Sequence, residues 1–309
     1  MDFYVNVCLQ RGRMLEGMSM DNRQAYHMTP EELRRLQEIQ MELIAEVDRI
    51  CKKCGIRYNM VGGTMLGAIR HKGYIPWDDD ADIGFLRDEY EKFRAACKKE
   101  LDPAKYYMQD LRDTPGYRWG YGKLRRCGTE FVRLNQEKMP YGMGISIDLM
   151  PFDNVPDGVL AKRWHFLCCY IYRKFFWSHI GKDTAKHWWQ RLCFRLMDLV
   201  PRETLVAGFN KFIEKCCKYG QTDLVRILTF PTPKGKGIFG YERQWYEKLT
   251  MYPFEHMKLP GAADYDGYLK VKYGKYMELP PENKRKVHPI SKLTLLSEQE
   301  GASENGKEV

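Results

Sequence analysis

The chain has 309 residues, of which 44% are hydrophobic, and carries a formal net charge of +9 with a pI near 8.9. A chain of this length buries a sizeable core, and its positive charge favours an anionic partner, such as a nucleotide, a phosphorylated glycan, an anionic lipid or a nucleic acid. The longest apolar run, residues 166–172, is far shorter than the roughly 20 residues that span a bilayer, so we expect no membrane-spanning segment. Residues 1–28 lack a sustained apolar centre and do not resemble a signal peptide.

The first predicted element is a helix over residues 30–54. Thr29 is its expected N-cap, Pro30 takes the first helical position, and Glu32 completes a capping box. Apolar residues then recur at helical spacing until Gly55 ends the run. We expect this helix to pack against the core and to carry no chemistry, and we leave residues 1–28 as an unassigned tail.

A glycine pair follows at a predicted junction between a strand (56–61) and a helix (64–71). Gly62 and Gly63 would let backbone N–H groups approach phosphate oxygens at the helix N-terminus, where Thr64 adds a hydroxyl group. A bare glycine pair also marks an ordinary tight turn, so its interpretation depends on the segment that comes next.

That segment places four carboxylates within five positions, at Asp78, Asp79, Asp80 and Asp82. Two carboxylates about 4 Å apart repel by roughly 4 kcal/mol at an effective dielectric constant of 20, so the cluster needs solvent, separation or a cation. On a strand over 80–86, Asp80 and Asp82 share one face, and Ala81, Ile83 and Phe85 occupy the other. This alternation favours a cation site over an acidic turn, and Asp78 has the same parity, whereas we expect Asp79 to face away.

Further alternating segments complete an α/β or α+β first half. After a predicted helix over 87–101, strands are predicted at 121–126 and Glu130–Arg133, and Lys123 and Arg125 share a strand face that is a candidate for binding phosphate. Residues 145–150 alternate too and offer Asp148 as one more carboxylate. No closely spaced His/Cys set competes, so we expect Mg²⁺ or Mn²⁺ with four metal ligands, namely Asp78, Asp80, Asp82 and Asp148.

From 157 to about 230 the pattern is helical and rich in interleaved aromatic and basic residues. Such a pattern forms an ordinary core with a basic outer face, or else contacts a membrane surface or nucleic acid. Residues 291–309 are polar, which predicts a disordered tail. The domain boundaries are therefore a catalytic core at 29–156 and a helical extension at 157–290.

The motifs of roughly residues 29–290 resemble the LicD family, which includes the fukutin-type proteins of the nucleotidyltransferase-fold superfamily. The resemblance is carried by residues 62–73, 75–84 and 147–153, and near the C-terminus by 259–260, 265–269, 273–277 and 279–281. It implies a mixed sheet flanked by helices, with Gly62 and Gly63 in the turn. Asp80 and Asp82 take the paired acidic positions and Asp148 the third, as catalytic residues. Ala81 is a mild departure from the family pattern, in which a branched aliphatic residue is usual at this position.

The resemblance also implies an activity. LicD-type enzymes transfer a phosphorylated alcohol, typically phosphocholine, from a CDP-linked donor to a hydroxyl group of a cell-surface glycan, such as lipopolysaccharide, teichoic acid or capsule. Asp80 and Asp82 would hold the metal, and Asp148 would complete its ligand sphere or accept the proton of the hydroxyl group. The candidates for binding the donor are Gly62, Gly63, Thr64, Arg70, Lys72, Lys123 and Arg125.

Two other functions remain open at this stage. One is transfer of the nucleotidyl group itself, and the other is a non-catalytic scaffold for glycan assembly. A nucleic-acid binder is disfavoured because the basic residues form no recognised module. Scattered cysteines and the lack of a leader favour the cytoplasm, with the inner membrane face as a peripheral location.

Overall fold

The structure is a computed structural model that describes residues 25–285 and 287–296. Its helices are α1 (Pro30–Cys54), α2 (Gly62–Arg70), α3 (Arg87–Glu100), α4 (Val159–Thr184), α5 (Trp188–Asp198), α6 (Arg202–Cys217), α7 (Gln244–Glu247) and α8 (Tyr265–Tyr273). Its strands are β1 (Asn59–Met60), β2 (Asp82–Leu86), β3 (Tyr106–Gln109), β4 (Gly122–Arg126), β5 (Glu130–Arg133), β6 (Ser146–Asn154), β7 (Leu224–Arg226), β8 (Tyr241–Glu242), β9 (Leu249–Phe254), β10 (Met257–Ala262) and β11 (Ile290–Thr294).

The main sheet is mixed, as the sequence predicted. Within the described residues its strand order is β1-β2-β6-β4-β3. In addition, β7 pairs with the C-terminal end of β6, and β8 pairs with β7. β2 and β6 run parallel, and the other pairs of this sheet are antiparallel. Helices flank the sheet, so the predicted α/β (α+β) class is confirmed. Two further antiparallel pairs complete the strands: β9 with β10, which follow each other in the chain, and β5 with the distant β11.

Helix α1 forms as its capping signals predict. The Thr29 hydroxyl group accepts the N–H of Glu32 at 3.1 Å, and the Glu32 carboxylate accepts the N–H of Thr29 at 2.8 Å. Gly55 ends the helix in the left-handed conformation, with φ of 65°. Its apolar stripe enters the main core, which also contains residues of β1, β2 and β6.

Several predicted boundaries differ from the structure. Strand β1 covers only Asn59–Met60 of the strand predicted at 56–61, and β2 begins at Asp82, so Asp80 precedes the strand on which the sequence placed it. Helix α2 begins at Gly62, two residues early, because the glycine pair itself forms its first turn. The predicted disordered tail at 291–309 begins too early, because Ile290 is fully buried and the strand Ile290–Thr294 pairs with β5. Residues 297–309 lie outside the described residues, as do residues 1–24 of the unassigned N-terminal tail.

The long helices of the extension predicted at 157–290 are α4, α5 and α6, and the extension also contains strands β7 to β10, which the sequence did not predict. A second apolar core lies here, formed around Cys169 and Phe176 of α4 and Leu205 and Phe209 of α6. Helix α5 packs along the C-terminal half of α4, where a Cβ atom at Gly181 would lie 2.6 Å from the ring of Phe194. Across the described parts of the chain, no helix combines the length and apolar character needed to cross a membrane.

Candidate active site

Three neighbouring strands align the charged residues of the candidate site in one row. Asp82 of β2 is paired in register with Asp148 of β6, and Asp148 is paired on its other side with Lys123 of β4. Residues directly opposite each other in a sheet point to the same face, so the three side chains share one face. All three are buried. The period-two patterns of the sequence predicted the two carboxylates of this row, and the sheet register adds the ammonium group.

Lys123 and Asp148 form a buried ion pair, in which the Lys123 ammonium group donates to Oδ1 of Asp148. Burial lowers the pKa of Lys123, and the Asp148 carboxylate opposes that shift without abolishing it. The Lys123 ammonium group also lies 5.4 Å from the ring centroid of Tyr121. The Lys123 ammonium group therefore lies directly against the Asp148 carboxyl group, the third carboxyl group that the sequence predicted for the site.

The glycine pair makes room for two carboxylates at the N-terminus of α2. Gly62 has φ of 61°, and a Cβ atom there would overlap Oδ2 of Asp82. A Cβ atom at Gly63 would lie 2.7 Å from Oδ2 of Asp78. The helix N-terminus carries partial positive charge, which stabilises nearby anions. The groups that lie against this helix N-terminus are therefore the protein's own carboxyl groups, those of Asp82 and Asp78.

Thr64 and Tyr268 fix this turn. The Thr64 hydroxyl oxygen accepts the backbone N–H of Asp82 at 2.8 Å, which ties α2 to the start of β2. The buried Tyr268 hydroxyl oxygen, from α8, accepts the N–H of Gly62 at 2.9 Å. Thr64 therefore positions Asp82, and the N–H of Gly62 already has a hydrogen-bond acceptor. Direct binding of the CDP-linked substrate by Thr64 and Gly62 stays a prediction.

The acidic segment before β2 separates its carboxylates by environment. Burial raises the pKa of Asp78 well above its usual value, and the neighbouring carboxylates of Asp80, Asp79 and Asp82 raise it further. Burial would also raise the pKa of Asp79, but contacts with His288 hold it below its usual value. Oδ1 of Asp79 lies 2.8 Å from Nδ1 of His288, and Oδ2 accepts the His288 N–H at 3.0 Å. Asp79 thus pairs with His288, whose Nδ1 also lies 3.7 Å from Oδ2 of Asp80.

The donor chemistry of this cluster fits a hard divalent cation. Carboxylate oxygens are the ligands that Mg²⁺ and Mn²⁺ prefer. The pKa of Asp78 is raised first by burial and then by the neighbouring carboxylates, whose repulsion such a cation would offset. In residues 25–285 and 287–296, however, no group of three or more His, Cys, Asp or Glu side chains is arranged closely enough to hold a metal ion. A cation would have to draw Asp78, Asp80 and Asp82 together, and Asp148 would have to share its carboxylate with Lys123.

Other predicted donor-binding residues have structural partners. Arg70 donates to the carbonyl oxygen of Tyr276 at 2.8 Å, and the Lys72 ammonium group donates to the carbonyl oxygen of Ile69 at 3.2 Å. Arg125 is buried, with its guanidinium group donating to Oε1 of Gln109 at 2.6 Å and to the carbonyl oxygen of Gly144. Phosphate binding by Arg70, Lys72 and Arg125 therefore stays a prediction.

Two cations near the row were missed by sequence reasoning. The Lys272 ammonium group, from α8, lies 3.5 Å from the point where a Cβ atom of Gly62 would sit. A nitrogen of Arg133, on β5, lies 3.9 Å from Oδ2 of Asp80, and its pKa is raised by Asp79, Asp80 and Asp148 against the effect of burial. The sequence could have indicated Lys272, because this residue lies between two of the motifs that carry the family resemblance, at 265–269 and 273–277.

Comparison with known proteins agrees with the motifs. Residues 55–197 match the family model described as LicD/FKTN/FKRP, nucleotidyltransferase domain. The lipopolysaccharide cholinephosphotransferase LicD of Haemophilus influenzae is 26% identical over 272 residues, which cover 85% of this chain and 98% of that protein. The human ribitol 5-phosphate transferase FKRP is 37% identical over 116 residues, which cover 37% of this chain and 20% of that protein. The family match includes the glycine pair and the whole row.

Proposed function

Because residues 55–197 match the LicD/FKTN/FKRP family model and nearly the whole of LicD aligns with this chain, we propose that it is a divalent-metal-dependent transferase that moves a phosphorylated alcohol from a CDP-linked donor to a glycan hydroxyl group. The alcohol is choline or a similar small alcohol, and the acceptor is a cell-surface glycan or its lipid-linked precursor. The similarity to two transferases, one named for lipopolysaccharide and cholinephosphate and one for ribitol 5-phosphate, supports this substrate class. We place the reaction in the cytoplasm, where CDP-linked donors are made.

The observation that carries the proposal is the buried row of Asp82, Asp148 and Lys123 at the N-terminus of α2. Phosphoryl-type transfer requires little covalent chemistry from a protein, which must position the reactants and stabilise charge on phosphate oxygens. Asp148 lies beside Asp82 and contacts Lys123, and in this proposal it accepts the proton of the attacking hydroxyl group. Lys272, near Gly62, and Arg133, near Asp80, would supply positive charge to the phosphate groups of the donor.

Asp78, Asp80 and Asp82 would hold Mg²⁺ or Mn²⁺, which when bound supplies positive charge for the donor diphosphate. Thr64 and Tyr268 keep the turn in place by their hydrogen bonds to Asp82 and Gly62. The protein would therefore hold the charged side chains of Asp82, Asp148 and Lys123 on one face of the sheet, beside the two glycines, whose lack of a side chain keeps that space open.

The proposal is tested by release of CMP from CDP-choline and CDP-ribitol, with a glycan extract and with Mg²⁺ or Mn²⁺. The native chain is compared with Asp82→Ala and with Asp88→Ala, a matched control at an exposed position in the first turn of α3. We expect metal-dependent CMP release, its loss by at least about a hundredfold in Asp82→Ala, and no change in Asp88→Ala.

Product analysis separates this reaction from the alternative chemistry. A cytidylated acceptor with free phosphoalcohol would replace the proposal with nucleotidyl transfer. Absence of turnover with either donor, in a folded chain that still binds nucleotide, would favour a scaffold in glycan assembly.

A further inference from the structure

Helix α4 exposes an apolar stripe on its N-terminal half. Leu160, Trp164, Leu167 and Ile171 recur at i, i+4, i+7 and i+11, so they lie on one face over about 16 Å of helix. Their exposed fractions are 80%, 61%, 44% and 41%. Other residues of the same helix, including Cys169, enter the second apolar core. The stripe is therefore additional to the face that holds α4 in the fold.

Helix α5 exposes a second stripe. None of its described residues is fully buried. Four apolar side chains share one face at exposed fractions of 71% (Trp188), 51% (Trp189), 48% (Leu192) and 60% (Leu196), and Leu199 just beyond the helix continues it. Such a display of large apolar side chains is unusual on a protein surface in water and marks an interaction site.

Packing of α5 against the protein uses other residues. Phe194 meets α4 at Gly181, and Asp198 accepts from the Lys182 ammonium group at 2.7 Å and pairs with Arg118 at 3.3 Å. These contacts fix α5 on α4 while its apolar stripe stays outside. We call the two stripes together the hairpin face: Leu160, Trp164, Leu167, Ile171, Trp188, Trp189, Leu192, Leu196 and Leu199.

The charge around the hairpin face is strongly positive. Residues 159–199 contain eight Lys or Arg residues and two Asp residues. One of the two acidic residues, Asp198, is largely buried and ion-paired with Lys182. Arg163, Lys186 and Arg195 are exposed beside the stripes. Basic residues that flank Trp and Leu side chains on a helix surface match the headgroup and acyl boundary of an anionic bilayer.

Two other occupants fit less well. A second copy of this chain would bring two basic rims together, which opposes association. Single-stranded nucleic acid stacks on aromatic rings, and the Leu and Ile side chains that make up most of the hairpin face offer it no such platform. Trp188 and Trp189, at the N-terminus of α5, have the amphipathic ring that favours the interfacial region of a membrane.

We propose that the hairpin face is a membrane-binding site, which inserts its apolar side chains into the interfacial region of a bilayer containing anionic phospholipids. The site is separate from the row of Asp82, Asp148 and Lys123, and it does not depend on the reaction that the row performs. It would hold the protein at the surface where lipid-linked acceptors lie.

The test is co-sedimentation of the full chain with vesicles of phosphatidylcholine alone and of phosphatidylcholine with phosphatidylglycerol. The hairpin variant combines Trp188→Gln, Leu192→Gln and Leu196→Gln. A matched control combines Met251→Gln, Met277→Gln and Leu279→Gln, which are equally exposed apolar residues (51%, 60% and 54%) outside the hairpin. All six positions are exposed, so both variants should fold, which circular dichroism and thermal unfolding verify.

We expect the native chain and the control to bind the anionic vesicles, at least about tenfold more strongly than the neutral ones, and to be released by high salt. The hairpin variant should lose at least about tenfold in apparent partition coefficient. Equal binding by the two variants, or no binding by the folded native chain, would overturn the proposal. So would a dimer in sedimentation velocity that the hairpin variant dissociates, without vesicle binding, since that result assigns the face to a second copy.

Discussion

Lys123 and Asp148 form an ion pair across β4 and β6, at side-chain exposures of 10% and 9%. Asp82 lies on the other side of Asp148 in the same register. Without Lys123, this face of the sheet would hold two adjacent carboxylates in a low-dielectric environment, where like charges repel strongly. The ammonium group is therefore part of what allows the site to fold with its carboxylates in place.

The first prediction concerns removal of this charge. Lys123→Met should lower the free energy of unfolding by about 3 kcal/mol, because Asp148 is left buried and unpaired. The double variant Lys123→Met with Asp148→Asn should regain most of that loss, because it removes the uncompensated charge. Urea denaturation of the native chain, both single variants and the double variant measures the coupling. A coupling near zero would contradict the ion pair.

The second prediction uses a matched pair of glycines. Gly62 and Gly55 both have positive φ, at 61° and 65°, so alanine at either position should cost about 1–2 kcal/mol of stability. Only at Gly62 does the added Cβ atom meet Oδ2 of Asp82, since nothing lies within 4 Å of it at Gly55. Gly62→Ala should therefore lose CMP release by at least about tenfold, whereas Gly55→Ala keeps it. Equal activities would show that the space beside Gly62 does not matter.

The sequence predicted the parts of the fold that depend on local patterns. The capping box at Thr29, the helical stripe of α1 and the alternation around Asp82 and Asp148 are each encoded within a few residues, and each element formed near its predicted bounds. Helix α2 begins earlier than predicted because the glycine pair forms its first turn. The acceptor of the Gly62 N–H, the Tyr268 hydroxyl group, comes from a distant segment that local patterns do not reveal.

The remaining features of the site depend on register and on distant segments. Lys123 was a candidate from its strand pattern, but its position opposite Asp148 follows from the pairing of β4 with β6, which one sequence does not determine. The same limit applies to Arg70, whose guanidinium group is directed to Tyr276 in the C-terminal segment, and to Lys272. Charge near a motif was visible in the sequence, whereas the partner of each charge was not.

The third prediction concerns a buried ion pair between the start of α3 and the C-terminal part of β6. Arg87, at the start of α3, donates to both carboxylate oxygens of Asp153 on β6, at 2.7 and 2.6 Å. Burial would lower the pKa of Arg87, but Asp153 raises it above its usual value. Asp153→Asn should lower the free energy of unfolding by about 3 kcal/mol, because the buried guanidinium group loses its two-oxygen partner and keeps only the partly exposed carboxylate of Glu91, at 3.2 Å.

An exposed pair provides the comparison for Asp153. Lys275 and Glu278 lie 3.1 Å apart at side-chain exposures of 84% and 70%, so Glu278→Gln should leave the stability unchanged. Thermal and urea unfolding of both variants measure the difference. If Asp153→Asn were as stable as Glu278→Gln, the pair would not contribute as its burial implies.

The fourth prediction is a pH dependence of stability that originates at His165 in α4. Its side chain is 2% exposed, and Nε2 has no hydrogen-bond partner among the described residues. Burial lowers the pKa of His165 to about 3, with smaller contributions from the positive charges of Arg226 and Lys215. An unfolded chain has a histidine pKa of about 6.5. Between these values the unfolded state binds a proton that the folded state does not, so the stability falls as the pH falls below about 6.5.

The variant His165→Phe removes this proton and keeps an aromatic ring beside Phe212, whose ring centroid lies 5.2 Å from that of His165. Each pH unit below about 6.5 should cost the native chain about 1.4 kcal/mol from His165 alone, or roughly 2–3 kcal/mol by pH 4.5. The difference in unfolding free energy between variant and native chain should therefore grow in favour of the variant from pH 6.5 to 4.5. Between pH 7.5 and 8.5 the difference should stay constant, because His165 is neutral in both states there. A constant difference across the whole range would contradict a buried neutral histidine.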